Sequence, residues 1–392
     1  DDDLPASRHA DKGQWRDGDA QEARSGRGSR ADRLHHPYRI EVSSGRVQVR
    51  GEGRDRDCAW RGYAEVRAVQ RLSAAELAHA LPEPEIMRGS SAGSASLRTG
   101  RALIALEPIV SRLRPEWIFA VGEVDAALAS ALVARKGGVP VAHLEAGLRT
   151  GDDSSSAEVN RVLTDRLSDV LFTVQPDAAE VLAQEGIPPD RIHHVGNVVA
   201  DALELVSHQA ARLDLRSTMN LDAGSYLLAI LRSERDANGE ELGEILTALE
   251  ACAIETGCPA LVVLEPALTT SVRRLGLEPL LAPLSVLEPV GYAELVGLME
   301  GAAAVIADER DISDLATLLG IPWVYVGAGP LHSAALDNGS GKMTGYEVEE
   351  VVAAVLLALE TTPVANRPEL WDGHAAERIA SIATARLASC AA

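Results

Sequence analysis

The sequence predicts an α/β chain built as two doubly wound halves that face each other across a cleft. Three observations predict it. From residue 102 onward, short apolar runs alternate with longer amphipathic stretches, the rhythm of a parallel sheet buried on both faces with helical crossovers. The alternation comes as two series, separated by a polar stretch at 204–224 with no strand pattern. A length of 392 residues suits two domains better than one.

The elements follow in order. Residues 1–60 are rich in Arg, Gly, Asp and Ser, and only 40–49 alternates like a strand. Tyr63–Leu81 has helical spacing, and the small residues of Gly89–Ser94 break it. The first series then reads helix 102–113, strand 117–121, helix 126–135, strand 139–143, helix 158–167, strand 170–174, helix 178–185 and strand 192–195. The second reads strand 226–231, helix 240–256, strand 260–264, a short strand at 286–287, helix 293–300, strand 304–307, helix 312–319, strand 323–326 and helix 348–359. A helix at 375–389 closes the chain. The expected division is an atypical segment 1–94, a first domain 95–204, a second domain 225–374 and the closing helix 375–392. Ligands of such folds sit at the carboxyl ends of the strands, here facing the cleft.

Composition narrows the function. The net charge is −21, which argues against a general nucleic-acid or anionic-membrane binder, since Lys and Arg supply that affinity. The charge is uneven. Residues 1–71 hold 14 Arg and one Lys against nine Asp and four Glu, a balance of +2, whereas the remainder carries −23. Cys58, Cys252, Cys258 and Cys390 show no CxxC spacing, so reduced thiols are expected rather than a zinc site or disulfide framework. No basic-then-apolar leader and no 18-residue apolar run occurs, which points to a soluble, cytoplasmic protein. The chain opens at Asp1 without Met, which fits a start other than the native one.

Chemistry concentrates in Val141-Ala-His-Leu-Glu-Ala-Gly-Leu-Arg-Thr-Gly-Asp152. A strand ends at His143, Glu145 lies just beyond, and Gly147 and Gly151 allow tight turns. Glu145, Arg149 and Asp152 crowd one strand end, either as a tuned acid–base group or as a solvated, charged loop. Glu158-Val-Asn-Arg161 opens the next helix. Glu158 suits either an N-terminal carboxylate favoured by the helix dipole or a catalytic role, and Arg161 either pairs with it or reaches the cleft.

Taken together, these segments resemble the non-hydrolysing UDP-N-acetylglucosamine 2-epimerases. The matching runs are His143–Asp152, Glu158-Val-Asn-Arg-Val-Leu-Thr-Asp165, Leu167-Ser-Asp-Val-Leu-Phe172 and Val195-Gly-Asn-Val-Val-Ala-Asp-Ala-Leu203, with weaker support from Leu287-Glu-Pro289 and Ala316-Thr-Leu-Leu-Gly-Ile-Pro322. The resemblance runs in register from about 95 to 390. It implies two Rossmann-like domains in a glycosyltransferase-B-like arrangement, a homodimer, a UDP-sugar substrate, and no cofactor or metal. The implied reaction inverts carbon 2 of a UDP-N-acetylhexosamine: a carboxylate removes the C2 proton, UDP departs, and re-addition occurs on the opposite face. Carried over onto this sequence, the catalytic positions are Glu145, Glu123, Glu158 and Arg161, and the substrate-binding positions are His143, Arg149 and Asp308.

This sequence departs from the family at several positions. The two adjacent glutamates before the Asn-Arg pair, of which the first is the catalytic one, fall on Ala157 and Glu158. The His-Gly-Asp-Thr run falls on Val121-Gly-Glu-Val124, so Glu123 replaces an aspartate. The His-Arg-x-Glu-Asn run falls on Arg232-Ser-Glu-Arg-Asp236. Asp-Ser-Gly-Gly-Ile-Gln-Glu-Glu-Ala falls on Asp308–Ala316, which places Glu309, Arg310 and Asp311 where bare backbone N–H groups would meet a diphosphate, and Leu315 at a ribose contact. Two like charges about 4 Å apart repel by about 1 kcal/mol in water and about 4 kcal/mol at intermediate dielectric, and Arg310 offsets part of that. Arg-Pro-Glu falls on His332-Ser-Ala334. A weakened phosphate site is the expectation. The family's opening strand and Gly-Thr-Arg-Pro-Glu-Ala loop have no counterpart in 1–94, through either a shifted or mis-assigned start or a natural replacement. The readings carried forward are a working epimerase or hydrolase, an impaired paralogue acting as a binding or partner subunit, and a glycosyltransferase of the same architecture, for which no motif is present.

Overall fold

The computed structural model describes residues 38–43, 46–51, 94–213, 215–231, 239–287, 290–327, 334–337, 341–361 and 367–390. The helix expected at Tyr63–Leu81 lies outside these residues. So do the break at 89–93, the runs at 232–236 and 288–289, and 332–333.

The alternating stretch at 40–49 is an antiparallel pair, β1 (Tyr38–Ser43) and β2 (Arg46–Gly51), rather than one strand.

The first sheet is parallel and carries β3 (Ile118–Val121), β4 (Val141–Leu144), β5 (Val170–Thr173) and β6 (Ile192–His194) in that order. Its crossovers are α2 (Asp125–Gly137), α3 (Ser156–Leu167) and α4 (Pro176–Gln184), and α1 (Ala95–Leu113) precedes β3. Ser94 starts α1 by accepting the Leu97 N–H on its hydroxyl at 3.4 Å. The helix therefore begins, at Ala95, seven residues upstream of the expected start. The sequence hid it because Thr99 and Gly100 interrupt the apolar spacing.

The second sheet is also parallel, with β7 (Leu227–Leu231), β8 (Ala260–Leu264), β9 (Ser285–Leu287), β10 (Ala304–Ala307), β11 (Trp323–Val326) and β12 (Gly341–Thr344). The order β12-β11-β10-β7-β8-β9 reverses direction between β7 and β10. That reversal is the topological switch point, where open α/β sheets bind ligands beyond the strand carboxyl ends. β12 escaped the sequence reading because Lys342 and Thr344 break any apolar run.

Helix α5 (Val198–Leu213) also went unrecognised. It contributes Ala200, Leu203 and Ala210 to the core under the second sheet. The chain therefore leaves the first sheet near Asn197, earlier than the polar stretch 204–224 suggests. The other helices of this half are α6 (Gly239–Thr256), α7 (Pro266–Leu275), α8 (Tyr292–Glu300), α9 (Arg310–Leu319) and α10 (Val348–Glu360). Pro266 hid α7 from a periodicity reading, although proline at the first helical position is compatible with a helix.

The closing helix α11 (Ala375–Cys390) returns to the first half, where Ile379 and Ala383 join Trp117, Phe119, Val170 and Phe172. Trp371 donates its indole N–H to the Val174 carbonyl at 3.0 Å, and Arg378 donates to the Val195 carbonyl at 2.9 Å. Gly196 makes this contact possible. Its φ is +82°, and a Cβ there would lie 2.0 Å from the Leu370 carbonyl oxygen. No described helix is long and apolar enough to cross a membrane. Among the described residues Cys252 and Cys258 are free thiols, and burial pushes Cys252 up to about 11.

Candidate functional site

Strand β4 ends with His143 wholly buried. Its Nδ1 meets Asp165 Oδ1 at 2.6 Å, and its Nε2 meets the Gly122 carbonyl at 3.1 Å. An ionised Asp165 and the Gly122 carbonyl are both acceptors, so this pairing favours the doubly protonated ring. Burial alone would lower its pKa, but Asp165, the Gly122 carbonyl and Glu145 outweigh it and raise it above the ordinary histidine value.

Asp165 also receives Arg149 at 2.8 Å and the Gly147 N–H at 3.3 Å. Arg149 grips Glu185 with two hydrogen bonds, at 2.8 and 2.9 Å. Burial pushes the Asp165 carboxyl up, but His143 and Arg149 hold it below the usual range. His143, Asp165, Arg149 and Glu185 are thus a charge-balanced cluster inside the first half. His143 and Arg149, expected as substrate contacts, are engaged here, because a buried charge must be paired.

The cluster fixes the segment that carries Glu145. Gly147 has φ +80°, and a Cβ there would lie 2.3 Å from the Ala178 carbonyl oxygen, so the turn requires glycine. Glu145 itself sits at φ +65°, a left-handed conformation that costs a non-glycine residue of order 1–3 kcal/mol. Such strain is retained where the surroundings impose it, and here it turns the carboxylate out of the strand end.

Glu145 is 10% exposed, and Arg310 donates to its Oε2. Burial raises its pKa most, Arg310 lowers it, and Asp311, Glu123 and Asp314 raise it again, leaving it at about 7. A carboxyl titrating there is poised for proton transfer near neutrality.

Arg310 opens α9 at the switch point. It reaches Asp314 at 2.8 Å and Asp311 at 3.4 Å. Asp314 is fully buried and accepts from Asn197 Nδ2 at 3.0 Å. These contacts bring the two halves together. The Glu309 side chain does not cap α9, and Asp308 lies one residue past the end of β10. The like-charge crowding of Glu309 and Asp311 expected at this helix start takes a different form, because the Arg310 guanidinium stands among the carboxylates.

Glu158 is 3% exposed. It accepts the Thr150 and Gly151 N–H groups at 3.0 and 3.2 Å, the Thr150 hydroxyl at 3.2 Å and Arg161 at 3.1 Å. Burial raises its pKa, but these donors hold it below the usual carboxylate range. It therefore closes the 147–151 loop, which neither capping of its own helix nor presentation to the cleft would do. Arg161 also pairs with Glu123 at 3.1 Å. Asn160 donates to the Glu123 carbonyl at 2.8 Å and to Asp125 at 3.2 Å, fixing the loop after β3.

Sequence reasoning missed Asp165, Asn160, Asn197 and Asp314 as parts of this site, and it took Arg310 only as a partial offset for Glu309 and Asp311. The first three lie inside motifs that carried the resemblance, which was their available signal. Among the described residues, no group of three or more His, Cys, Asp or Glu side chains is placed to hold a metal.

Two parallel sheets with a neutrally poised carboxylate at a strand end, opposite a switch point, define an open α/β protein of two doubly wound halves. Residues 69–384 match the UDP-N-acetylglucosamine 2-epimerase family, and the chain belongs to it. A UDP-N-acetylglucosamine 2-epimerase of Methanococcus maripaludis is 29% identical over 309 residues, covering 77% of this chain and 84% of the relative. A UDP-2,3-diacetamido-2,3-dideoxy-D-glucuronate 2-epimerase of Pseudomonas aeruginosa is 29% identical over 303 residues, covering 76% and 83%. The Methanocaldococcus jannaschii UDP-GlcNAc 2-epimerase, solved in complex with UDP-GlcNAc and UDP, superposes with a TM-score of 0.71 at 27% identity, covering 77% of this chain and 85% of that one.

Proposed function

We propose that this chain inverts carbon 2 of a UDP-N-acetylhexosamine, with Glu145 as the proton-transfer group. The observation that carries this reading is the Glu145 carboxyl, turned out of the β4 end by a left-handed backbone and titrating at about 7. In the proposed reaction, Glu145 takes the C2 proton. The C–H electron pair becomes the C1–C2 double bond while the C1–O bond breaks, and UDP leaves with the C1–O bonding pair on its oxygen. Return of a proton to the other face of C2 and of UDP to C1 completes the inversion. Glu123, whose charge raises Glu145, serves as the second acid–base group, and Arg161 holds it. Glu158 and His143 act on the geometry of Glu145 through the loop and the buried cluster. Asp308 supports the substrate from the second half.

Because the base must be ionised in the free protein, kcat/KM is expected to fall about tenfold per pH unit below about 7. A pH profile of kcat/KM for UDP-N-acetylglucosamine checks this, and a profile flat from pH 5.5 to 8 would sink the assignment.

One observation favours a second reading, an impaired paralogue that serves as a binding or partner subunit. Glu309, Arg310 and Asp311 stand at the start of α9, and Arg310 is already bound to Glu145. A folded sample that neither turns over nor binds UDP in a calorimetric titration would favour it. We take the protein to act in the cytoplasm as a homodimer, as the family resemblance implies. The exposed apolar side chains Leu97, Ile104, Val159 and Leu163 of α1 and α3 would suit such a contact.

A further inference from the structure

The contact between Glu145 and Arg310 joins residues 165 positions apart. It belongs to a chain of contacts that crosses between the halves twice. Glu145 and Asn197 come from the first half, and Arg310 and Asp314 come from α9 in the second. Arg310 binds Glu145 and Asp314 together, and Asp314 binds Asn197. The Arg310 side chain is 15% exposed and that of Asp314 is not exposed at all. One cation therefore serves several carboxylates at the switch point, where a ligand would sit.

Resting on the UDP-sugar reading above, we propose that Arg310 is a cleft latch. It ties the two halves together through Glu145 and Asp314 while the cleft is empty, and a nucleoside diphosphate must take its guanidinium from Glu145 to bind. Phosphate oxygens suit the planar guanidinium fork as carboxylates do, so the exchange is chemically matched. Its consequence falls on the base. Glu145 is faced by Arg310, Asp311 and Asp314 from α9, by Glu123 from the loop after β3, and by His143 on its own strand. When Arg310 leaves, the three acidic neighbours remain, so Glu145 gains proton affinity as the substrate arrives. Arg310 is thus a positioning residue that acts through Glu145.

Hydrogen exchange of the full chain tests the latch without any ligand. Exchange in segments 146–151 and 311–319 is expected to rise several-fold in both R310Q and E145Q, with the rest of the chain unchanged. E145Q keeps the side-chain shape, so it tests the idea even where R310Q folds poorly. Unchanged exchange in a folded E145Q overturns the latch.

A UDP titration from pH 6 to 8 tests the exchange of partners. Since binding would require Glu145 to release Arg310, E145Q should bind UDP about tenfold more tightly than the wild type at pH 8, with the two converging by pH 6. Comparing the two proteins cancels the titration of the phosphate itself. Equal or weaker binding by E145Q at pH 8 overturns the competition. Faster exchange with no UDP binding by either protein supports the latch and removes the UDP-sugar reading. Unchanged exchange with UDP binding by both does the reverse.

Discussion

Glu145→Gln is expected to reduce UDP-N-acetylhexosamine turnover by about 10²–10⁴-fold, the usual contribution of a positioned general base. The substitution preserves size and shape, so the left-handed turn at φ +65° and the packing beneath it should survive. An amide cannot accept the C2 proton at any accessible pH. The effect should appear in kcat, with UDP affinity unchanged near pH 6 and improved at pH 8, because losing the charge also loosens the hold on Arg310. Initial rates measured with folded protein check this. A variant retaining more than about a tenth of wild-type turnover would place the base elsewhere, with Glu123 the alternative carboxylate in the first half.

Asp165→Ala is expected to cost about 3–5 kcal/mol of stability, because it strips the anion from between the buried His143 and the half-buried Arg149. His143 and Arg149 both lie against Asp165, and neither can move to water without dismantling the β4–α3 contact. Two linkages set the pH dependence. Asp165 has a depressed pKa, so its contribution is present above the unfolded aspartate value of about 3.9 and is lost as pH falls through the native value. His143 has a raised pKa, so its contribution is complete below about 6.5 and is lost as pH rises through the native value. The deficit should therefore be largest between about pH 5 and 6.5 and shrink on the alkaline side. Urea unfolding across that range measures it. A loss under about 1 kcal/mol throughout would mean that the cluster is not the support of the Glu145 segment.

The alternating parallel architecture was legible because β3, β4, β5, β7, β8, β10 and β11 are short apolar runs buried on both faces. What lay outside the periodic signal was harder to read. Pro266 hid α7, Lys342 and Thr344 hid β12, and the apolar face of α5 lay within a stretch that looked polar. The Glu145 motif was legible because its glycines and charges cluster in sequence. The partnerships were not. Glu158 folds back onto Thr150 and Gly151, and His143 is paired on both nitrogens below the cleft, and neither follows from spacing along one strand or helix. Arg310 read as a partial offset for Glu309 and Asp311. Only the approach of the two halves reveals that its strongest neighbour is Glu145.

That neighbour relationship connects the two readings of function. An arginine on the candidate base resembles a blocked site when the cleft is empty. The same arginine becomes a phosphate cation once a diphosphate displaces Glu145. The acidic surplus of the second half then acts on the base by raising its proton affinity.

The most direct test of Glu145 as a C2 base is solvent exchange at that carbon. The folded chain is incubated with UDP-N-acetylglucosamine in D₂O, and the C2 proton signal is followed by NMR. Loss of that signal with wild-type protein, accompanied by a second UDP-N-acetylhexosamine, and its persistence with E145Q are the expected results. A C2 proton that persists with wild-type protein shown by titration to bind UDP would contradict the claim.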